Sequence, residues 1–278
     1  MPELLFPDDS LPSTAAESWV RHKVETIAQY LSSFASQLAG KVDDIIFVDL
    51  YAGNGLYSIG ARKELFASAA LKSLSLEVPI SKFIFCEKDG DRLGTLKIRV
   101  NKYFRNRHII LLDGKPEDIV SRLDLYVPPT RGNYKSAVIC LCDPFSLEMP
   151  FDCIRALAEK NFSFLIPFTF ALNDRVNYEF YLVDNRERLK KFMGADNLDR
   201  IEKDVDSNWV FYKKLVQIYQ GNLLSMGFNA ATSVHKIDSG LMELPVYYTG
   251  FYSRNVSAQD IQEDVESTHN VQFDLFNS

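Results

Sequence analysis

Ile45-Ile46-Phe47-Val48-Asp49-Leu50-Tyr51-Ala52-Gly53-Asn54-Gly55 is the stretch from which the fold is read. A run of β-branched and aromatic residues ends in an acid and then two glycines, the order of a buried parallel strand that empties into a tight loop. Gly53 and Gly55 carry no Cβ and can take positive φ, so the loop backbone can lie against a bound molecule. Asp49, at the carboxyl end of the strand, is set to hold that molecule's polar tail, and Tyr51, Ala52 and Asn54 belong to the same binding loop. The alternative for these residues is a tight turn that Asp49 only caps.

A dinucleotide-binding loop competes with this reading. The third glycine of G-x-G-x-x-G is missing, because Ser58 stands in its place. The next strand ends at Glu87, 34 residues beyond Gly53, whereas the ribose-binding acid of a dinucleotide fold falls roughly 20 residues along. An acid ahead of the glycines also suits the amino group of a methionine moiety and repels a pyrophosphate. S-adenosylmethionine is therefore the expected cofactor. The fold expected is α/β, a Rossmann-like class I methyltransferase fold: a seven-stranded, mostly parallel sheet with helices on both faces and a C-terminal antiparallel strand pair.

The chain of 278 residues is 46% apolar and 24% charged, an ordinary globular composition with enough apolar mass for one large core. No apolar run reaches the roughly 18 residues of a membrane span. Met1 to Ser13 is acidic and lacks an apolar signal core, so the reading expects a cytosolic protein with no membrane association. Cys86, Cys140, Cys142 and Cys153 form neither a CxxC pair nor a Cys/His zinc cluster, so buried reduced thiols and no metal site are expected. A formal net charge of −6 gives no global attraction to nucleic acid; such a substrate needs a local basic face or a partner that supplies one.

Residues 1–40 read as a proline-punctuated tail and a helix from Ser13 to about Gly40, which flanks or lids the cofactor loop. Lys23 on that helix is either solvated or a cation reaching substrate. Residues 41–254 read as the Rossmann-like methyltransferase domain. After the glycine loop, Ala61 to Leu76 is expected as a helix. Phe83 to Glu87 follows as a second strand, whose terminal carboxylate is placed to accept both ribose hydroxyls. Asp89 and Asp91 start the next helix, to about Phe104. Ile109 to Leu112 forms the third strand, and Asp113-Gly114 after it is either the acceptor for an adenine amino group or a common Asp-Gly turn. Pro116 to Tyr126 reads as a short helix, Pro128-Pro129 break it, and Arg131-Gly132-Asn133 form a polar loop.

The fourth strand, Ala137 to Cys142, empties into Asp143-Pro144-Phe145. Proline fixes the φ that holds a carboxylate and a backbone carbonyl toward one crevice, where they can accept hydrogen bonds from an amino group while Phe145 stacks on a planar base. An Asp-Pro turn with Phe145 in the core is the alternative. Phe151 to Lys160 is expected as a helix and Phe162 to Phe170 as a fifth strand. Arg175 follows on the ligand side, to fix an anionic group or to pair with Asp174 at the surface. Helices near Tyr178 to Phe192 and Asn208 to Met226 precede two closing strands, Val234 to Ile237 and Val246 to Tyr252. Residues 255–278 read as a polar, acidic tail.

From Trp19 to Ser253 the chain resembles the three-Cys-motif partner proteins, a bacterial family. The resemblance is carried by Lys23 and Tyr30-Leu31, by Phe47-Val48-Asp49-Leu50-Tyr51-Ala52-Gly53-Asn54-Gly55, by Glu87, Asp113-Gly114, Cys142-Asp143-Pro144-Phe145 and Arg175, and by Val246-Tyr247-Tyr248. It implies a seven-stranded Rossmann-like sheet, a pocket for S-adenosylmethionine and association with a companion protein bearing a three-cysteine cluster. Two departures bear on the loop that carries the methionine tail: Asn54 stands where the family more often has proline, and the segment after Gly60 is less glycine-rich. More distantly the layout is similar to adenine-N6 methyltransferases of ribosomal RNA, whose motif is Asp-Pro-Pro-Tyr; only Asp143-Pro144 are kept here.

The function expected is S-adenosylmethionine-dependent N-methylation, with nucleic acid the favoured substrate class. Asp143, Pro144 and Phe145 form the catalytic set, Asp49, Tyr51, Ala52, Gly53, Asn54, Gly55, Glu87, Asp113 and Gly114 the cofactor set, and Lys23 and Arg175 the substrate candidates. A catalytically silent partner or scaffold of the three-cysteine companion is the second reading. A nicotinamide-dependent enzyme is the third.

Overall fold

The computed structural model describes residues 6–129, 134–195 and 197–274 of the chain, with side chains described to residue 267. A short strand, β1 (Thr14–Ala16), precedes the long helix α1 (Trp19–Leu38). Val20, Val24, Ile27, Leu31 and Phe34 are buried at helical spacing along α1, each contributing about 1.5–3 kcal/mol of burial. Gly40, at φ +71°, turns the chain out of the helix. The central strand β2 (Asp44–Asp49) is buried on both faces from Ile45 onward, as a parallel strand with helices on either side must be.

There follow β3 (Leu56–Ile59), β4 (Glu64–Ala67), α2 (Ala69–Leu74), β5 (Lys82–Glu87), α3 (Gly90–Tyr103) and β6 (Ile109–Asp113). The chain continues through α4 (Pro116–Arg122), β7 (Ser136–Leu141), α5 (Phe151–Glu159) and β8 (Ser163–Pro167), then α6 (Arg186–Met193), α7 (Asp199–Glu202) and α8 (Asn208–Ser225). It closes with β9 (Asn229–Lys236), β10 (Val246–Ser253) and α9 (Ala258–Asp274). The main sheet has seven strands in the order β6-β5-β2-β7-β8-β10-β9, and only β10 runs antiparallel to its neighbours. This is the expected mixed α/β sheet with its antiparallel pair at one edge. The order reverses between β2 and β7, so the crevice outside their carboxyl ends is the switch point at which such sheets bind ligands.

Alternation along β2 divides the core. Ile46 and Val48 face a layer shared with α4, α5, α6 and α8, while Ile45 and Phe47 face one shared with α1, α2, α3 and α9. All four cysteines are free and buried, and burial raises the Cys86 thiol far up and the Cys153 thiol to about 12. No helix among the described residues is long and apolar enough to cross a membrane.

Four sequence expectations need correction. The helix expected from Ser13 begins only at Trp19, because Thr14–Ala16 is extended and pairs with β3 as β1. The span read as a helix from Ala61 to Leu76 opens with the turn and second strand of a hairpin: β3 and β4 pair antiparallel, β1 adds to β3 in parallel, and only Ala69–Leu74 is helical. Gly60 and Lys63 both take positive φ, so this segment turns where a helix would need αR backbone. The helix near Tyr178 to Phe192 is split, with a wide π-type turn over Phe180–Asp184 ahead of α6. Residues 258–274, read as part of a polar tail, form α9. Ala258, Ile261 and Val265 are buried on one face against α1 and β9, and Ser33 donates to Asp264 at 2.7 Å. The exposed acids of its outer face masked that narrow apolar stripe. The Arg131-Gly132-Asn133 loop lies outside the described residues.

Candidate functional site

The glycine loop between β2 and β3 is shaped by its own backbone hydrogen bonds. The Ala52 amide donates to the Cys86 carbonyl at 2.9 Å, joining the loop to β5, and the Gly53 amide donates to Glu87 Oε2 at 3.0 Å. Gly53 and Gly55 have φ of +65° and +96°. A Cβ at Gly55 would stand 3.1 Å from the side chains of Leu71 and Leu96, so glycine there serves both conformation and packing. The other Glu87 oxygen accepts from the Asp89 amide at 3.0 Å, while Asp89 caps α3 by accepting from Asp91 and Arg92. Two amides thus aim the Glu87 carboxylate and leave it further lone pairs.

Asp49 lies beneath this loop, 2% exposed, and accepts from the Tyr51 amide at 2.9 Å. Burial raises its carboxyl to about 7; the Tyr51 amide pulls the other way, and the nearby Asp143 and Glu87 add to the rise. Burial, with Asp143 and Asp49 close by, likewise holds the Tyr57 phenol well above its usual range, so it stays a neutral hydroxyl.

At the end of β7, Asp143 is paired with Lys23 across 2.6 Å, the two side chains 10% and 4% exposed. Thr169 Oγ1 donates to Asp143 Oδ1 at 3.1 Å and lies 3.5 Å from Lys23 Nζ. The ammonium also sits 5.6 Å from the Trp19 ring centre and 5.7 Å from that of Phe145, rings that stack on each other at 6.1 Å. Phe145 has φ +52°, a backbone position unfavourable to a bulky side chain that the surrounding contacts hold in place.

These groups face one hollow of about 380 Å³ at the carboxyl ends of β2, β5 and β7. Lys23, Tyr51, Ala52, Gly53, Asn54, Gly55, Glu87, Asp143, Pro144 and Phe145 all line it, so the structure brings together most of the residues read from the sequence. Asp49 stays under the floor. Asp113 pairs in register with Glu87, but its exposed side chain belongs to a separate groove beside α3, and the Gly114 amide donates to the Glu87 carbonyl at 3.3 Å. Arg175 is exposed away from the hollow; its amide donates to Asn173 Oδ1.

The sequence reading missed the arm that closes the hollow. Thr14–Ala16 and Glu17 form one wall, with Trp19 and Tyr57 beside them. Arg99, fully buried on α3, anchors this arm by a 2.9 Å ion pair with Asp9, by the Pro12 carbonyl at 3.0 Å and by the Asn54 carbonyl at 2.7 Å. The arm and glycine loop therefore share one guanidinium, which holds the Asp9 carboxyl below its usual range. Glu17 ties the other end, accepting from Trp19 Nε1, Ser239 Oγ and the Gly240 amide. The available signal was an arginine at an otherwise apolar position of α3, between Leu96 and Val100.

No protein-family model matches the chain, and no curated protein matches it. Solved structures with a similar layout include Trm1 from Pyrococcus horikoshii with S-adenosyl-L-methionine, at 11% identity over 94% of this chain and 61% of that one, with a TM-score of 0.49. Protein LPL1258 from Legionella pneumophila is similar at 10% identity over 88% and 91% of the two chains, TM-score 0.48. An rRNA methylase from Streptococcus thermophilus is similar at 12% identity over 84% and 94%, TM-score 0.38. The resemblance to the three-Cys-motif partner proteins rests on the motifs of the sequence alone.

Proposed function

We propose that the protein is an S-adenosylmethionine-dependent methyltransferase whose cofactor lies in the hollow at the ends of β2, β5 and β7. The observation that carries this reading is the convergence of the glycine loop, the Glu87 carboxylate and the Asp143-Pro144-Phe145 turn on that hollow at the sheet's switch point. Its volume is of the size that holds a small cofactor. Glu17, Glu87, Asp143 and Glu148 line it against Lys23, Lys88 and Arg92, an excess of one acid that favours a cation.

In this reading Glu87 accepts from the ribose hydroxyls, and the loop from Tyr51 to Gly55 takes the methionine portion, with Asp49 supporting that loop from below. The bound cofactor would supply an electrophilic methyl group. Asp143, steadied by Lys23 and Thr169, accepts hydrogens of the acceptor nitrogen, and the stacked Trp19 and Phe145 form a platform for a planar base. Lys23 is then a positioning residue. Asp113 and Arg175 are left out of the set, since neither side chain lines the hollow. N-methylation of a nucleic-acid base, a cytoplasmic location and pairing with a three-cysteine companion belong to the same proposal.

The test is transfer of a labelled methyl group from S-adenosylmethionine to nucleic acid by the wild-type protein and by Asp143→Asn. The expected result is turnover that the variant loses while its cofactor affinity stays within a few-fold. Cofactor binding without transfer by either protein would reduce the molecule to a pocket-bearing partner.

A further inference from the structure

The chain is acidic overall, yet from Lys88 to Arg107 it carries seven Lys and Arg against two Asp. Arg99 is used internally. Lys88, Arg92, Lys97, Lys102 and Arg105 are exposed along α3 and its ends. Lys88 and Arg92 are each near a carboxylate, Glu148 and Asp89, whereas no ion pair among the described residues involves Lys97, Lys102 or Arg105.

This basic helix borders a groove of about 540 Å³ against β6, the edge strand of the sheet. Lys97, Arg105 and Arg107 stand in its lining, together with the apolar side chains of Leu93, Phe104 and Leu111. Gly90 and Gly94 leave bare backbone at the end nearer the hollow, with open space where a side chain would project. Asp113 is the single carboxylate in the lining among the described residues. The groove and the hollow adjoin: Lys88 and Arg92 line the hollow, and Gly90 and Leu93, on the same turn of chain, line the groove.

Cations beside an apolar floor that includes an aromatic ring are what a single nucleic-acid strand requires, phosphates meeting the charges and unstacked bases covering the floor. We propose that this groove holds a single strand of the nucleic-acid substrate and leads its target base past the start of α3 into the hollow. The proposal rests on the methyltransferase reading for what happens to the base, while strand binding by the groove stands apart from it. It also gives Asp113 a place: an acid at the pocket end, where a phosphate is repelled and an exocyclic amino group is accepted.

The experiment is fluorescence anisotropy of labelled mixed-sequence oligoribonucleotide, with the deoxyribonucleotide of the same sequence as a second arm, titrated with the full chain over a range of salt. Lys97→Glu with Arg105→Glu is the groove variant, and Lys41→Glu with Lys236→Glu, also exposed lysines, is the reference of equal charge. The groove variant should bind about tenfold or more weakly at moderate salt, with a log–log salt slope shallower by about 1.4 for two lost phosphate contacts. The reference variant should stay close to wild type, and the affinity of all three for S-adenosylhomocysteine should be equal. The proposal is overturned if wild type binds neither oligonucleotide, or if the two variants weaken binding equally. Absence of S-adenosylhomocysteine binding alongside an intact groove effect would remove the methyltransferase reading and leave the strand site standing.

Discussion

Replacing Lys23 by Met strands a carboxylate. Asp143 then keeps only the Thr169 hydroxyl as a described side-chain partner, in a setting where its side chain is 10% exposed. Removing one member of a buried ion pair typically costs about 3–5 kcal/mol, because the other charge is left desolvated. Asp143 borders the hollow and can draw some solvent from it, so about 3 kcal/mol is the expected loss for Lys23→Met. Asp143→Asn strands the ammonium instead, but the Trp19 and Phe145 rings remain beside it, which limits the loss to about 2 kcal/mol. The double variant leaves no uncompensated charge and should lose only about 1–2 kcal/mol in all, giving a coupling of about 3–4 kcal/mol. Urea unfolding of the four proteins, compared at constant m value, measures this. Losses that add to within about 0.5 kcal/mol would refute the pairing and return Asp143 to the role of a free acceptor.

Asp49 sets a pH dependence. Its carboxyl is raised from 3.8 to about 7 in the folded protein, so its contribution to stability is full below pH 4, is lost as pH rises to about 7, and falls no further above that. The loss is up to about 4 kcal/mol, and Asp49→Asn should lack it; an equal fall in wild type and variant on urea unfolding from pH 4 to 8 would contradict the raised carboxyl. Gly55→Ala, with φ +96° and two leucine side chains at 3.1 Å, should lower stability by about 2 kcal/mol or more, whereas Gly53→Ala, with open space around it, should cost about 1 kcal/mol. Thermal melts of the two variants compare them directly, and equal shifts would count against the packing argument. Arg99→Met leaves Asp9 buried without its ion pair and should cost about 3 kcal/mol while exposing the arm before α1 to proteolysis; an arm as resistant as in wild type would refute the anchoring role.

The parts of the fold legible in the sequence are those where one physical constraint dominates. A strand buried on both faces has to be apolar throughout, so Ile45 to Val48, Phe83 to Cys86 and Ala137 to Leu141 stand out, and the acids and glycines at their ends mark the crevice. Segments under weaker constraint were misread. The β3–β4 hairpin is four residues a strand and only partly buried, too short for its alternation to outweigh a helical pattern of Leu65, Ala69 and Leu74. In α9 the buried stripe is a minority of an acidic helix. Pairings distant in sequence were invisible for another reason: Lys23 with Asp143, and Arg99 with Asp9, meet only because α1 and the arm fold back over the ends of the strands. Asp113 shows the reverse limit, for strand position gave its register beside Glu87 but not the side toward which its carboxylate turns.

The central claim, that the ends of β2, β5 and β7 form a site for S-adenosylmethionine, is tested most directly by titration calorimetry of the wild-type protein with S-adenosylhomocysteine, set beside Glu87→Ala. Saturable binding at one site per chain that the variant loses is the expected result. No heat of binding by the wild-type protein at millimolar ligand, or binding unchanged by loss of the Glu87 carboxylate, would contradict it.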